Sequence, residues 1–282
     1  MKPAEAVIRL SSPATRESWA VPVIYEDEHL LAINKPARLL SSPDRYDPQR
    51  PNLMRLLHEG LASGKPWAVA RGLDYLSSAH RLEFETTGVL LLARNRAALV
   101  TLANHFGSEI PRKTYVALVQ GNPPEETFTV DAPLSPDRYR PDVMRVSRGG
   151  KKSVTDFTVR ERFAGCALIE ARPRTGRTHQ IRIHLQHAGF PIFGDATYGG
   201  GELRLSSLKP KYHRRADGTE RPLVSSLALH AWRLELPHPV TGQPVFIEAE
   251  WPDPMQVALK YLRRFATRFA SPPQGSRTRG RE

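Results

Sequence analysis

Thr86-Thr87-Gly88 opens an unbroken apolar run, Val89-Leu90-Leu91-Leu92-Ala93, and no other stretch restricts the fold so tightly. A run this short, entered through a turn, reads as a strand buried on both faces. The residues that feed it, His80-Arg81-Leu82-Glu83, are mostly polar. A loop entering a buried strand tends to point inward, so the carboxylate of Glu83 needs a partner or a task.

The flanking sequence is rich in strand patterns. Residues 23–25 and 30–34 form two short runs about an acidic turn, and Pro36 ends the second. After the apolar run, Asn95 is placed to cap a helix with Ala98, Leu99, Leu102 and Phe106 on one face and Gly107 at its end. Residues 114–119 read as a strand. Val154, Phe157 and Val159 mark another, and residues 167–171 a third, with Phe163-Ala164-Gly165 suggesting a hairpin. The period then changes: Ile181, Leu185 and Ala188 predict a helix capped by Thr178 and stopped by Gly189 and Pro191. Leu227, Leu229, Ala231, Leu234 and Leu236 alternate, turn at "HPVTGQP", and return through residues 245–249. "PMQVALKYLRRFATRF" predicts a closing helix. Many strands and few helices, not in strict alternation, indicate an α+β fold with a mainly antiparallel sheet. No linker interrupts residues 21–262, which predicts one domain. Residues 1–20 read as a flexible arm and residues 263–282 as a disordered basic tail.

With 40% apolar residues the chain is not disordered overall. The single cysteine, Cys166, excludes an internal disulfide, sits in the apolar "GCALIEA" and fits the core of a protein in a reducing compartment. No signal pattern and no bilayer-length apolar run is present, so a cytoplasmic location is expected. Of the net charge of +12, residues 204–221 contribute +4 and residues 263–282 contribute +5. Positive charge clustered on loop-like segments suits a polyanion, because neutralised phosphates release counterions.

Three loci bear chemistry: the Glu83 loop; Tyr115, in a strand opened by Arg112 and Lys113; and "RPRTGRTHQIRIH", which crowds Arg172, Arg174, Arg177 and Arg182 around a strand end and the next helix. A zinc site from His179, His184 and His187 is disfavoured, since the first two point to different helix faces and no cysteine or carboxylate completes the set. A Ser78–His80–Glu83 triad lacks a nucleophile elbow. Neither a P-loop nor GxGxxG occurs, and a glycosidase would want two working carboxylates. One carboxylate, one tyrosine and one arginine framed by positive charge fit chemistry at the glycosidic carbon of a nucleotide. The acid would attack or stabilise an oxocarbenium ion, a guanidinium would orient it, and an aromatic ring would stack on an extruded base.

The motifs "YEDEHLLAINKPA", "AHRLEFETTGVLLLA", "RKTYVALVQG", "PRTGRTHQIRIHLQHAGFPIFGDATYGG" and "LALHAWRLELPHPVTG", in that order, resemble those of the RluA-type pseudouridine synthases over roughly residues 23–250. The resemblance implies isomerisation of uridine to pseudouridine in structured RNA (ribosomal or transfer), without metal or cofactor, by a single α+β domain with a central cleft. It assigns Glu83 to the place of the family's nucleophile, Tyr115 to the cleft tyrosine, Arg182 to the acid's partner, and Leu229 to a leucine near the target base. His80, Arg81, Thr87, Gly88, Arg177, His179 and Gln180 are the expected substrate-binding residues, and a monomer is expected.

Two departures stand out. The family has His-Arg-Leu-Asp where this chain has His80-Arg81-Leu82-Glu83, extending the acid by one methylene. Arg38 stands where the family usually has glycine; if that glycine serves a positive-φ turn, arginine is expected to adopt another backbone. A working synthase using Glu83 and a non-catalytic RNA-binding paralogue both fit the sequence.

Overall fold

The computed structural model describes residues 6–267 except 45, 46, 48, 141, 211, 213–216 and 218. In chain order the strands are β1 (Val7–Ser12), β2 (Glu17–Glu26), β3 (Leu30–Lys35), β4 (Ser77–Ser78), β5 (Thr87–Ala93), β6 (Arg112–Gln120), β7 (Thr127–Asp131), β8 (Leu134–Pro136), β9 (Met144–Val146), β10 (Val154–Phe163), β11 (Cys166–Pro173), β12 (Leu229–Pro237) and β13 (Pro244–Glu248). The helices are α1 (Leu53–Ala62), α2 (Pro66–Val69), α3 (Arg96–Gly107), α4 (Gln180–His187) and α5 (Asp253–Phe265). One sheet runs β1-β2-β3-β5-β12-β6-β11-β10-β7, with β13 on β12 and β4 on β5; β8 and β9 pair separately. Within the sheet β5–β12 is parallel and the other pairings are antiparallel. The α+β expectation with a mainly antiparallel sheet therefore holds.

Every residue of β5 is buried, and the layers above and below explain why. Leu90 and Leu92 join Leu53, Leu57 and Trp67 of α1 and α2. Val89, Leu91 and Ala93 join Ala98 and Leu102 of α3 and Ile247 of β13 on the other face. Each leucine so buried contributes roughly 2 kcal/mol. The far half of the sheet holds Cys166, Ile181, Leu185, Leu259 and Leu262 in a core built with α4 and α5.

The expected flexible arm is folded over much of its length. Residues 7–12 pair with residues 17–22 as a hairpin, and Ile8, Leu10 and Val21 are buried against the α1 layer. Alternation of apolar residues is enough once a neighbouring strand satisfies the backbone. The tail is corrected at its start: α5 runs to Phe265 and Arg263 Nε donates to Glu161 Oε2 at 2.9 Å, while residues 268–282 lie outside the described residues. Part of the basic insert is also tied down, with Arg204 Nη1 on the Glu220 carbonyl at 3.0 Å.

The α3 cap is as expected, Asn95 accepting from the Ala98 N–H at 2.9 Å. That of α4 is not. His179, not Thr178, is the N-cap residue, with φ 55 and no side-chain cap bond. Gln180 reaches back instead, its Oε1 accepting from the Arg177 N–H and the Thr175 hydroxyl. Arg38 also overturns its expectation. It adopts φ 58 itself, so arginine occupies the left-handed turn and does not reshape it. Lys35 Nζ, fully buried, closes that turn on the carbonyls of Pro36 and Leu39.

Candidate active site

The loop ahead of β5, the exposed end of β6, the start of β12 and the segment from Pro173 into α4 enclose a cleft of about 310 Å³. His80, Arg81, Glu83, Lys113, Tyr115, Arg177, Gln180, Arg182 and Leu229 line it. Residues far apart in sequence are thus brought to one opening.

Glu83 is half-buried and fastened at both carboxylate oxygens. Oε2 accepts from Arg182 Nη1 at 2.7 Å and Oε1 from the His179 N–H at 3.1 Å. That N–H is aimed by the left-handed conformation of His179, a strained choice for a residue with a side chain. The His179 imidazole lies 3.8 Å from Glu83 Oε2 and shares a 2.7 Å hydrogen bond with Tyr198 Oη. Burial lowers the His179 pKa, against the upward pull of Glu83, so the ring is neutral at pH 7.

Arg182 is itself fixed. Its Nε and Nη2 donate to the two oxygens of Asp195 at 2.7 Å each, and its guanidinium lies 4.9 Å from the Tyr198 ring centroid. Asp195 is buried. A bidentate pair of this kind sets the plane of the guanidinium and leaves Nη1 for Glu83. Burial works against the charge on Arg182, and its bonds and charge attraction to Asp195 and Glu83 more than offset this, raising its pKa. Asp195 and Tyr198 were not among the residues expected from the sequence. Both lie in "GDATYGG", the end of one of the motifs that carry the family resemblance, where the sequence does not show what they face.

Tyr115 projects from β6 into the cleft, and among the described residues its hydroxyl has no hydrogen-bond partner. Burial, then the Glu83 charge, raises its pKa, so the phenol stays protonated. Burial lowers the pKa of Lys113, against the upward pull of Glu109 and with a smaller push down from Arg177. Lys35, behind the acid, is lowered to about 7 by burial despite Glu83.

The remaining expected residues divide. Arg81 is exposed, and both it and Arg177 line the cleft. Leu229 lines the cleft from the start of β12. The amide of Gln180 is committed to Thr175, Arg177, Val154 and Thr155, which makes it a brace for the loop. His80 is likewise structural in part: Nε2 accepts from the Leu91 N–H at 2.9 Å and the ring stacks on Phe106 at 4.4 Å. Thr87 and Gly88 do not line the cleft. The Thr87 hydroxyl bonds His230 Nδ1 at 2.7 Å. Gly88, at φ 113, lies so close to β12 that a Cβ would stand 2.1 Å from the Ala231 carbonyl oxygen. Both residues belong to the parallel seam because β5 turns them away from the acid. Among the described residues no cluster of His, Cys, Asp or Glu could hold a metal, and His184 is committed to Thr155 and the Ala132 carbonyl.

An oriented carboxylate, a protonated phenol and several cations around one small opening suit attack on, or charge stabilisation at, a nucleotide's glycosidic centre. Residues 29–187 match the family model for RNA pseudouridylate synthase. Ribosomal large subunit pseudouridine synthase C of Escherichia coli O157:H7 is 36% identical over 250 residues, which cover 86% of this chain and 70% of that protein. Ribosomal large subunit pseudouridine synthase D of Xanthomonas campestris is 35% identical over 276 residues, 94% of this chain and 76% of that one. The solved structure of human RNA pseudouridylate synthase domain containing 4 superposes with a TM-score of 0.66 at 26% identity, over 86% of this chain and 92% of its own. The chain belongs to the RNA pseudouridine synthase family, isomerases that convert uridine to pseudouridine in RNA. Among the described residues no helix is long and apolar enough to cross a membrane.

Proposed function

We propose that this chain isomerises a uridine of large-subunit ribosomal RNA, as a monomer, with Glu83 as the acting carboxylate. The names of the two bacterial relatives support the choice of RNA. The observation that carries the choice of residue is the two-point hold on Glu83 by Arg182 Nη1 and the His179 N–H. A glutamate with an idle carboxylate would have no reason to be gripped at the mouth of a cleft with its partner pinned from behind.

In this reading the target uridine leaves its stack and enters the cleft, which Arg81 and Arg177 line. Glu83 acts at the ribose C1′ or the base, and Tyr115 stacks on the uracil while Leu229 packs near it. Arg182 keeps the carboxylate charged and aimed through detachment and rejoining.

The test is to map pseudouridines in ribosomal RNA from cells that lack the gene, complemented with variants. Wild type is expected to restore a lost site and Glu83→Gln to restore none. Glu83→Asp, which keeps the charge, is expected to preserve or raise conversion. Restoration by the glutamine variant would remove Glu83 from the mechanism. If no site depends on the gene, the chain is an RNA-binding member of the family without activity on this RNA.

A further inference from the structure

The link from α3 to β6 carries a residue that its own position disfavours. The last turn of α3 closes with two backbone hydrogen bonds, the Glu109 N–H donating to the Phe106 carbonyl at 3.2 Å and the Ile110 N–H to the His105 carbonyl at 3.0 Å. A cap of this form needs a left-handed residue, most often glycine. Here Glu109 takes that place at φ 56. A carboxylate at this end of a helix also faces the negative pole of the backbone dipole. Two local costs fall on one exposed side chain, and departures of this kind gather at functional sites.

What offsets those costs is the positive charge of the cleft wall. Glu109 Oε1 stands 3.5 Å from Arg177 Nη2, with both side chains partly exposed. The Glu109 charge also pulls the Lys113 pKa upward against burial. Four cations line the cleft: Arg81, Lys113, Arg177 and Arg182. Arg182 is committed to Glu83 and Asp195. Of the other three, only Arg177 has an acid partner among the described residues. Glu109 does not line the cleft itself. It borders an adjoining recess of about 350 Å³ that shares Thr175 and Arg177 with the cleft.

A polyanion entering the cleft brings phosphate oxygens that compete for the same guanidinium. We propose that Glu109 is an affinity-setting residue, an internal counter-ion that occupies Arg177 in the empty cleft and is displaced by an RNA phosphate. Binding then exchanges one ion pair for another and adds none, so RNA is held less tightly than the cations alone would hold it, and it leaves sooner. This rests on the synthase reading only in taking the partner to be RNA.

The test uses the full chain, a short labelled RNA stem–loop with an all-uridine loop, and binding measured across a salt series. Glu109→Gln should tighten binding at low salt by about three- to fivefold, the range of an exposed ion pair. It should also steepen the slope of log K against log salt by roughly 0.7–0.9, because one more cation is free to release a counterion from the RNA. Glu109→Gly, which relieves the turn as well, should match the Gln variant in affinity and slope. In an Arg177→Ala background, Glu109→Gln should lose most of its effect, the mark of two residues acting through one contact. Wild-type affinity and slope in the Gln variant would overturn the proposal. So would a gain undiminished in the Arg177→Ala background, or one confined to the Gly variant, which would trace it to the backbone. Conversion is scored on the same samples. An RNA bound by the wild type but never isomerised would sink the synthase reading, and the salt slopes would still decide the role of Glu109.

Discussion

Glu83 reaches one methylene further than an aspartate would, and the groups that receive it are a main-chain N–H and a guanidinium locked to Asp195. Replacing Asp195 by Asn should therefore act on Glu83 at second hand. Removing one charge from a buried pair costs about 3–5 kcal/mol in stability. A guanidinium free to shift by about 1 Å should cost on the order of 100-fold in conversion. Denaturant melts and single-turnover assays read the two effects separately, and an active, stable Asn variant would refute the role. Arg38 gives an opposite expectation. A left-handed non-glycine residue costs about 1–2 kcal/mol, and glycine's extra chain entropy recovers only part of that. Arg38→Gly should raise stability by about 0.5–1 kcal/mol by chemical denaturation, and a lower midpoint would argue that its 3.3 Å bond to the Ser225 carbonyl matters more. The sequence singled out Glu83, Tyr115 and Arg182, which the fold gathers at one cleft, because each stands out chemically from its neighbours. Asp195 stayed hidden because its importance lies wholly in what the fold puts against it. Thr87 and Gly88 misled for the reverse reason: closeness to the acid along the chain does not survive the turn into β5.

At the scale of elements, β5 was the plainest reading, since an apolar run of that length has few other fates. Two kinds of element escaped. α1 did carry a helical signal, with Leu53, Leu56, Leu57 and Gly60 buried at helical spacing behind an Asn52 cap, and it went unread. β1 with the first half of β2, and the β8–β9 hairpin, were missed, because short strands take their stability from partners and not from their own composition. Unread β8–β9 also explains why α4 is buried on more faces than its Ile181–Leu185 stripe required. The seam between β5 and β12 is the element most exposed to a single change. Gly88→Ala places a Cβ 2.1 Å from the Ala231 oxygen at a φ of 113, where both space and backbone refuse it. Loss of soluble protein, or destabilisation above about 4 kcal/mol, is expected; a wild-type melting curve would show that the seam can yield.

Across the whole molecule, burial keeps several imidazoles neutral: His80 is pushed down to about 3 and His230 to about 4. In the unfolded chain they would take up protons near pH 6.5. The folded values lie below the unfolded one, so their contribution to stability is complete above about pH 6.5 and drains away as pH falls toward 4. Melting temperature should drop between pH 7 and pH 5, and His230→Asn should make that drop shallower. A level profile would mean that these rings protonate without cost. The sequence concentrates positive charge in residues 204–221 and 263–282, and residues 134–152, with a net +4, form a third such segment.

The parallel seam has a further consequence in time. Thr87 meets His230 across 143 positions of chain, and Glu83 meets Arg182 across 99. While a ribosome is still making this protein, the acid, the phenol and the arginine have all been synthesised well before the strand that closes the sheet between them. Until β12 is made, the growing polypeptide holds Glu83, Tyr115 and Arg182 without the strand that closes the sheet between them.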